Sequence, residues 1–346
     1  MDRDTLASVA AALGARKGGL RLGLLAADES PATLHKRFAA AGVEASPENR
    51  RAWREVLLRG AGLGAHVSGV ILHDETLGQS ASDGEPFVRL VERAGALPGV
   101  KVDLGLSPLP GFPGESVTEG LDGLAGRLAH YRAVGARFAK WRAAIDVRMG
   151  SPSDHCIAAN AQALARYAAH CHAAGLVPVV EPEVLMEGDH DLAHCYAVSK
   201  RTLSRVFAEL HEARVFLEGI VLKPSMVTPG LKNPRSAQPE EVARATLRLM
   251  RNCAPVAVPT IAFLSGGQNE VEATANLDAI NRMGAPPWAV TFSFGRALQE
   301  SALKVWAGEA RNVAAAQAVF AHRARMNALA AAGKWEPALE RAPAGR

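Results

Sequence analysis

The stretch Phe216–Gly230 reads FLEGIVLKPSMVTPG, and the apolar run Ile220-Val221-Leu222 at its centre ends on a lysine. Three apolar residues, two of them β-branched, predict a short buried strand. Pro224 stops it, since proline has no N–H to give to a ladder. Lys223 then stands at the lip of an apolar core. Burial there disfavours the ammonium and leaves an amine able to attack a carbonyl. A lone lysine in that position would more simply lay its stem on the core and its amine in water. The rest of the chain decides between the two.

Seven other apolar runs carry polar groups in the same way. Leu24 to Ala27 lead to Asp28, and Val70 to Leu72 lead to His73 and Asp74. GVKVDLG carries Lys101 and Asp103; GARFAKWRAAID carries Lys140 and Arg142; GLVPVVEPEVL carries Glu181 and Glu183. Ser265, Gly266 and Gly267 follow VPTIAFL, and Ser293, Gly295 and Arg296 close WAVTFSFGR. The intervening segments read as helices. Gln162–Gly175 is alanine-rich and stops at a glycine. Ser199–Val215 sets Leu203, Val206, Phe207 and Leu210 on one face. Pro239–Cys253 opens with proline and two acids, as helix N-termini do.

Lys101, Lys140, Glu181, Lys223 and Ser265 recur about every 40 residues, room for one strand, one helix and two loops. Eight such alternations predict an α/β fold, a closed parallel (β/α)8 TIM barrel, rather than an open sheet. The expected organisation is one barrel domain over 1–346, with a short helical extension over about 1–19 and a tail over about 331–346. In such barrels the chemistry sits at the C-terminal ends of the strands, where the polar residues above fall.

Composition narrows the function. The 346 residues are 48 % hydrophobic, enough for a large core, and carry a formal net charge of +4. The arginines are dispersed, so no basic face with interleaved aromatics offers itself to nucleic acid. Arg201 to Arg205 reads as a solvated helix face. The N-terminal MDRDTLASVAAALGARKG lacks the apolar core of a signal peptide, and no run approaches the roughly 18 apolar residues of a membrane span. Cys156, Cys171, Cys195 and Cys253 form no CxxC pair and read as reduced thiols of a cytoplasmic protein. His155-Cys156, His170-Cys171-His172 and His190 with His194-Cys195 fall away from the strand ends, so no metal site is expected.

Eight blocks in order, LAADES, ILHDETLGQ, KVDLG, AKWR, VEPEVLMEGDHDL, VLKPSMVTPG, LSGGQNE and FSFGRALQ, closely resemble the class I, Schiff-base fructose-1,6-bisphosphate aldolases from about Gly23 to about Gln299. The resemblance implies reversible cleavage of a phosphorylated ketose, fructose 1,6-bisphosphate, into two triose phosphates, with no cofactor beyond a covalent Schiff base on Lys223. It implies that Lys223 attacks the C2 carbonyl, that Glu181 moves protons during dehydration, and that Lys140 keeps Glu181 ionised and favours an unprotonated Lys223. Asp28 would take the C4 hydroxyl proton. Glu183, two residues from Glu181 on the same face of a strand, would raise one of the two carboxyl pKa values by repulsion.

Two phosphate sites are implied. Ser265, Gly266, Gly267, Ser293, Gly295 and Arg296 would hold one, at the loops after the seventh and eighth strands. Lys101, Arg142, Ser30, Thr33 and Arg37 would hold the other. Partnership in a homo-oligomer, possibly a tetramer, is expected by resemblance alone. The sequence departs from the family pattern at Pro31 in the first loop, at Leu104 where a lysine is common, at Phe294 where a tyrosine is common, and in ending ERAPAGR without a terminal tyrosine. Other phosphoketoses, an inactive scaffold and a zinc-dependent enzyme on the same barrel stay open as alternatives.

Overall fold

The short apolar runs align in parallel until the last one pairs with the first. The computed structural model describes residues 2–147 and 152–341. Its barrel strands are β1 (Gly23–Ala27), β2 (Val67–Leu72), β3 (Leu97–Lys101), β4 (Phe138–Ile145), β5 (Val177–Val184), β6 (Val221–Leu222), β7 (Thr260–Phe263) and β8 (Ala289–Phe294). Each pairs with its sequence neighbours, and β8 closes on β1 through Ser293 opposite Leu24 and Phe294 opposite Leu25. The expected (β/α)8 barrel is the fold.

Strand alternation splits the core in two. Side chains facing outward, among them Leu25, Val70, Trp141, Val180, Leu222 and Phe292, join the helices in one large buried layer. Those facing inward, Leu24, Ala26, Ile71, Phe138, Val177, Val179, Val221 and Ala262, form a smaller cluster inside the barrel. Leu6, Ala10 and Leu13 belong to the inner cluster. They come from helix Arg3–Ala12 and the residue that caps it, which close the end of the barrel opposite the strand C-termini. Asp2 caps that helix by accepting from the Thr5 N–H at 2.8 Å, and the Thr260 hydroxyl donates to Ala10 O at 2.9 Å. Gly99 is needed for the interior packing, because a Cβ there would lie 2.3 Å from the Phe138 ring.

Helix Pro239–Cys253 has the expected bounds, set by proline in its first turn and by a capping box between Gln238 and Glu241. The other two predicted helices begin earlier than expected. Asp154–Ala173 starts from a Ser153 cap and Leu192–Glu212 from an Asp191 cap. The short polar side chains that accept from the first turn, rather than the apolar spacing, set those starts. Strand β6 is only two residues long, and Ile220, expected inside it, caps a 3-10 turn over Leu217–Gly219. A hairpin of Gly105–Pro108 with Ser116–Glu119 stands over the barrel after β3, where the 40-residue spacing had suggested only a loop.

Phe294 packs against Phe292 with ring centroids 5.5 Å apart, so the missing tyrosine hydroxyl is a change inside the packed layer. Of the expected tail, Pro337–Glu340 forms a 3-10 turn tied through Glu340 to the Trp335 indole at 2.8 Å; Ala342–Arg346 lie outside the described residues. Among the described residues no helix is long and apolar enough to cross a membrane.

Candidate active site

Strand register brings the polar residues to one level. Ala27 lies opposite Leu72, Leu72 opposite Val100, and Val100 opposite Ala139. The residues one step further, Asp28, His73, Lys101 and Lys140, therefore form a row. On the other side Arg142 lies opposite Glu181 and Val180 opposite Leu222, which sets Glu181 level with Lys223. These positions continue the inward columns of Ala26, Ile71, Phe138, Val179 and Val221. The change from apolar to charged happens within one layer of side chains.

Four of them form a buried chain of alternating charge. Lys223 Nζ lies 2.8 Å from Glu181 Oε1, Glu181 Oε2 lies 3.1 Å from Lys140 Nζ, and Lys140 Nζ lies 2.6 Å from Asp28 Oδ2. All four side chains are at least nine-tenths buried. Burial alone would raise the pKa of Asp28, but Lys140, Lys223 and Lys101 outweigh it and hold the carboxyl below its usual range. Glu181 is lowered for the same reason, with Lys140 and Lys223 overcoming burial. Lys140 is raised, since Asp28 and Glu181 more than offset its burial.

The expected repulsion between Glu181 and Glu183 does not raise Glu181. Each carboxylate has its own cation: Glu183 is bound by the Arg142 guanidinium, while Glu181 sits between two ammonium groups. The two acids share a cavity but not a charge problem.

That cavity, about 780 Å³, opens at the strand C-termini and is bordered by Asp28, Ser30, Thr33, Arg37, Lys101, Lys140, Arg142, Glu181, Glu183, Lys223, Ser265, Gly266, Ser293, Gly295 and Arg296. Of the residues expected at the site, Gly267 alone is not on its wall. Its N–H donates to Met186 Sδ at 3.2 Å, so this amide supports the turn instead of opening to a ligand. Gly266 has φ +54, a left-handed backbone that favours glycine. Arg296 bonds back to Gly266 O at 3.2 Å and so ties β8 to that turn. Ser293 is buried, and its hydroxyl lacks a hydrogen-bond partner among the described residues.

The basic residues at the opposite side are already engaged. Lys101 Nζ is 2.6 Å from Asp103 Oδ1, and Arg142 is paired with Glu183. Ser30 caps helix Pro31–Ala40 by accepting from the Thr33 N–H at 3.3 Å, and its hydroxyl lies 3.1 Å from that of Thr33. Pro31 is in the first turn of that helix, where its missing N–H costs nothing. Leu104 is 70 % exposed at the rim.

Sequence reasoning overlooked the support beneath this side. Glu29 is bound by Arg37, lies 2.8 Å from Arg54 Nη1, and accepts from Gln299 Nε2 at 3.0 Å. Gln299 Oε1 in turn accepts from the Trp53 indole at 3.2 Å. The signal was present: Glu29 adjoins Asp28 at a strand end, and Arg54 is an arginine on the apolar face of helix Pro47–Leu58. Lys36 and Glu187 also border the cavity without having been singled out.

The histidines and cysteines set aside above are elsewhere. His155 and Cys156 lie in the first turn of helix Asp154–Ala173, and His190 precedes the Asp191 cap that His194 follows. Among the described residues no group of three or more histidine, cysteine or carboxylate side chains is placed to hold a metal.

Comparison with known proteins follows the same outline. The family model "Fructose-bisphosphate aldolase class-I" matches residues 6–345. A "Probable fructose-bisphosphate aldolase class 1" of Xanthomonas campestris is 50 % identical over 315 residues, covering 91 % of this chain and 94 % of the relative. "Fructose-bisphosphate aldolase 5, cytosolic" of Arabidopsis thaliana is 51 % identical over 314 residues, 90 % of this chain and 87 % of its own. A solved fructose-bisphosphate aldolase from Plasmodium falciparum, in complex with TRAP and a small-molecule inhibitor, superposes with a TM-score of 0.93 at 45 % identity, covering 96 % of this chain and 95 % of that one.

Proposed function

Because the chain belongs to the class I fructose-bisphosphate aldolase family, and so cleaves fructose 1,6-bisphosphate reversibly into dihydroxyacetone phosphate and glyceraldehyde 3-phosphate, we propose that Lys223 is the amine that attacks the ketose C2 carbonyl. The family is metal-independent. The observation that carries the assignment is the Glu181 carboxylate, held between the Lys223 and Lys140 ammonium groups at 2.8 and 3.1 Å. A proton leaving Lys223 has an acceptor in contact with it, and Lys140 stabilises the carboxylate that remains after the proton moves on.

Attack of the neutral amine on C2 gives a carbinolamine. Loss of its hydroxyl as water, with a proton delivered through Glu181, leaves an iminium. The C3–C4 bond pair then flows into the iminium nitrogen and forms an enamine, while the C4 hydroxyl gives up its proton and becomes the aldehyde carbonyl. Asp28 is the acceptor for that proton. At rest it is a poor base, because Lys140, Lys223 and Lys101 depress it. A substrate phosphate on Lys101 would offset the smallest of those three contributions and move Asp28 toward greater basicity.

The two ends of the ketose meet different equipment. Ser265, Gly266, Ser293, Gly295 and Arg296 take one phosphate, with Gly267 shaping the turn behind them. Lys101, Arg142, Ser30, Thr33 and Arg37 take the other, and there the incoming anion shares cations already facing Asp103, Glu183 and Glu29. Glu183 serves this reading by orienting Arg142. The protein acts as one barrel domain in the cytoplasm, without a cofactor, as a homo-oligomer of the kind expected from its family.

The test is borohydride reduction in the presence of dihydroxyacetone phosphate and a chelator, read by peptide mass spectrometry. A covalent adduct on Lys223 is expected. Adduct on another lysine, or none, removes Lys223 from this role.

A further inference from the structure

The row that holds Asp28, Lys101 and Lys140 has a fourth member. His73 follows Leu72 as Asp28 follows Ala27 and Lys101 follows Val100, and the three strands are in register there. Two residues before it Ile71 faces the barrel interior, and His73 borders the cavity. Its ring is fixed in place. Nδ1 accepts from the Glu75 N–H at 3.2 Å and caps the short helix Asp74–Leu77. Glu75 is itself clamped by Arg50 through contacts of 2.6 and 3.1 Å.

A ring nitrogen that accepts a hydrogen bond carries no proton, so the neutral imidazole has its hydrogen on Nε2. Burial first, then Lys101 and Arg54, push protonation of the ring below its ordinary range; Asp28 and Glu75 act in the opposite sense without prevailing. The outcome is a rigid, uncharged donor in a row otherwise made of full charges. Such a donor adds direction without adding to the positive field that depresses Asp28.

We infer that His73 Nε2–H donates a hydrogen bond to an oxygen of the aldehyde half of the substrate and fixes that half between Asp28 and Lys101. The inference rests on the proposed function, in which Lys223 meets C2 and Asp28 meets the C4 oxygen. In that reading the dihydroxyacetone phosphate half is held through Lys223, and the His73 hydrogen bond goes to the other half.

The two halves separate cleanly in the condensation direction. His73→Asn keeps an oxygen able to accept from the Glu75 N–H but is too short to reach the substrate. His73→Phe removes both functions. Each variant is expected to raise KM for glyceraldehyde 3-phosphate about tenfold, the effect of one lost hydrogen bond. KM for dihydroxyacetone phosphate and the yield of its borohydride adduct on Lys223 are expected to stay unchanged. An unchanged KM for glyceraldehyde 3-phosphate in His73→Asn overturns the inference. A parallel loss for both substrates overturns it too, because a ring that only props the mouth would weaken both. Failure of the unsubstituted enzyme to form the Lys223 adduct is a separate result: it removes the proposed function, and the inference with it.

Discussion

At the closed end of the barrel the inward columns hold Leu24, Ile71, Phe138, Val179 and Val221, and helix Arg3–Ala12 packs Leu6 and Ala10 against that cluster. At the open end the same columns hold Asp28, His73, Lys140, Glu181 and Lys223. The backbone is alike at both ends, and all of these side chains but the half-buried His73 are buried, yet the energetics are opposite. Apolar contact at the closed end contributes stability in proportion to the area removed from water. Buried charge at the open end must first recover a desolvation cost, and a paired set often does no better than apolar residues of the same size. What the chain keeps at the open end is therefore explained by chemistry, and what it keeps at the closed end by packing.

That division can be broken at either end. Lys223→Ala should cut cleavage by about 10⁴-fold or more, the scale on which removing a covalent nucleophile acts. Glu181 and Asp28 keep Lys140 as a partner, so the circular dichroism spectrum and thermal midpoint should change little. Retained activity would end the assignment, and a collapsed fold would show that the open end carries stability after all. Leu6→Ala is the mirror experiment. Leu6 is 3 % exposed, and emptying its place should cost about 2–4 kcal/mol of unfolding free energy, with kcat/KM per folded molecule unchanged. A fall in kcat/KM without loss of stability would show the two ends to be coupled.

The smallest effect sharpens the contrast through pH. Asp28 and Glu181 are depressed in the folded protein. Their stabilisation is complete above the unfolded carboxyl range near about 4 and is lost as pH falls below it. The thermal midpoint should be flat from pH 7 to about 5 as far as these groups are concerned, then decline. Asp28→Asn should make the decline shallower, while Leu6→Ala should lower the whole curve without changing its slope. An Asp28→Asn curve parallel to that of the unsubstituted protein would remove Asp28 from the titration.

The sequence made the columns legible because a strand shows each face at every second residue: Val221 and Lys223, or Val179 and Glu181, announce an interior that turns polar. Helix Pro239–Cys253 was legible in full because its first turn is written in proline, glutamate and a capping glutamine. Partners across the barrel were not legible. Nothing local told that Lys140 would meet Asp28 as well as Glu181, and so the Glu181–Glu183 pair, adjacent in sequence, was given a repulsion that distant cations cancel. Arg54, Glu29 and Gln299 escaped notice for the same reason, since their bonds join residues 25 and 270 positions apart. The hairpin after β3 was lost because proline- and glycine-rich strands such as Gly105–Pro108 carry no clean alternation.

The plug at the closed end also has a kinetic meaning. Ala10 receives its hydrogen bond from Thr260, 250 residues later, and Leu22 receives one from Thr291, 269 residues later. The helix that stoppers the barrel is thus made long before its seat is complete. During synthesis its apolar stripe of Leu6, Ala10 and Leu13 meets partners from β1 to β6 first and is fully seated only when β7 and β8 leave the ribosome. Contacts of such long range are slow to form, and both the seam of β8 on β1 and the seat of the helix depend on them. Nascent chains stalled before Thr260 would carry an open barrel and an incompletely seated plug, a form suited to capture by a chaperone.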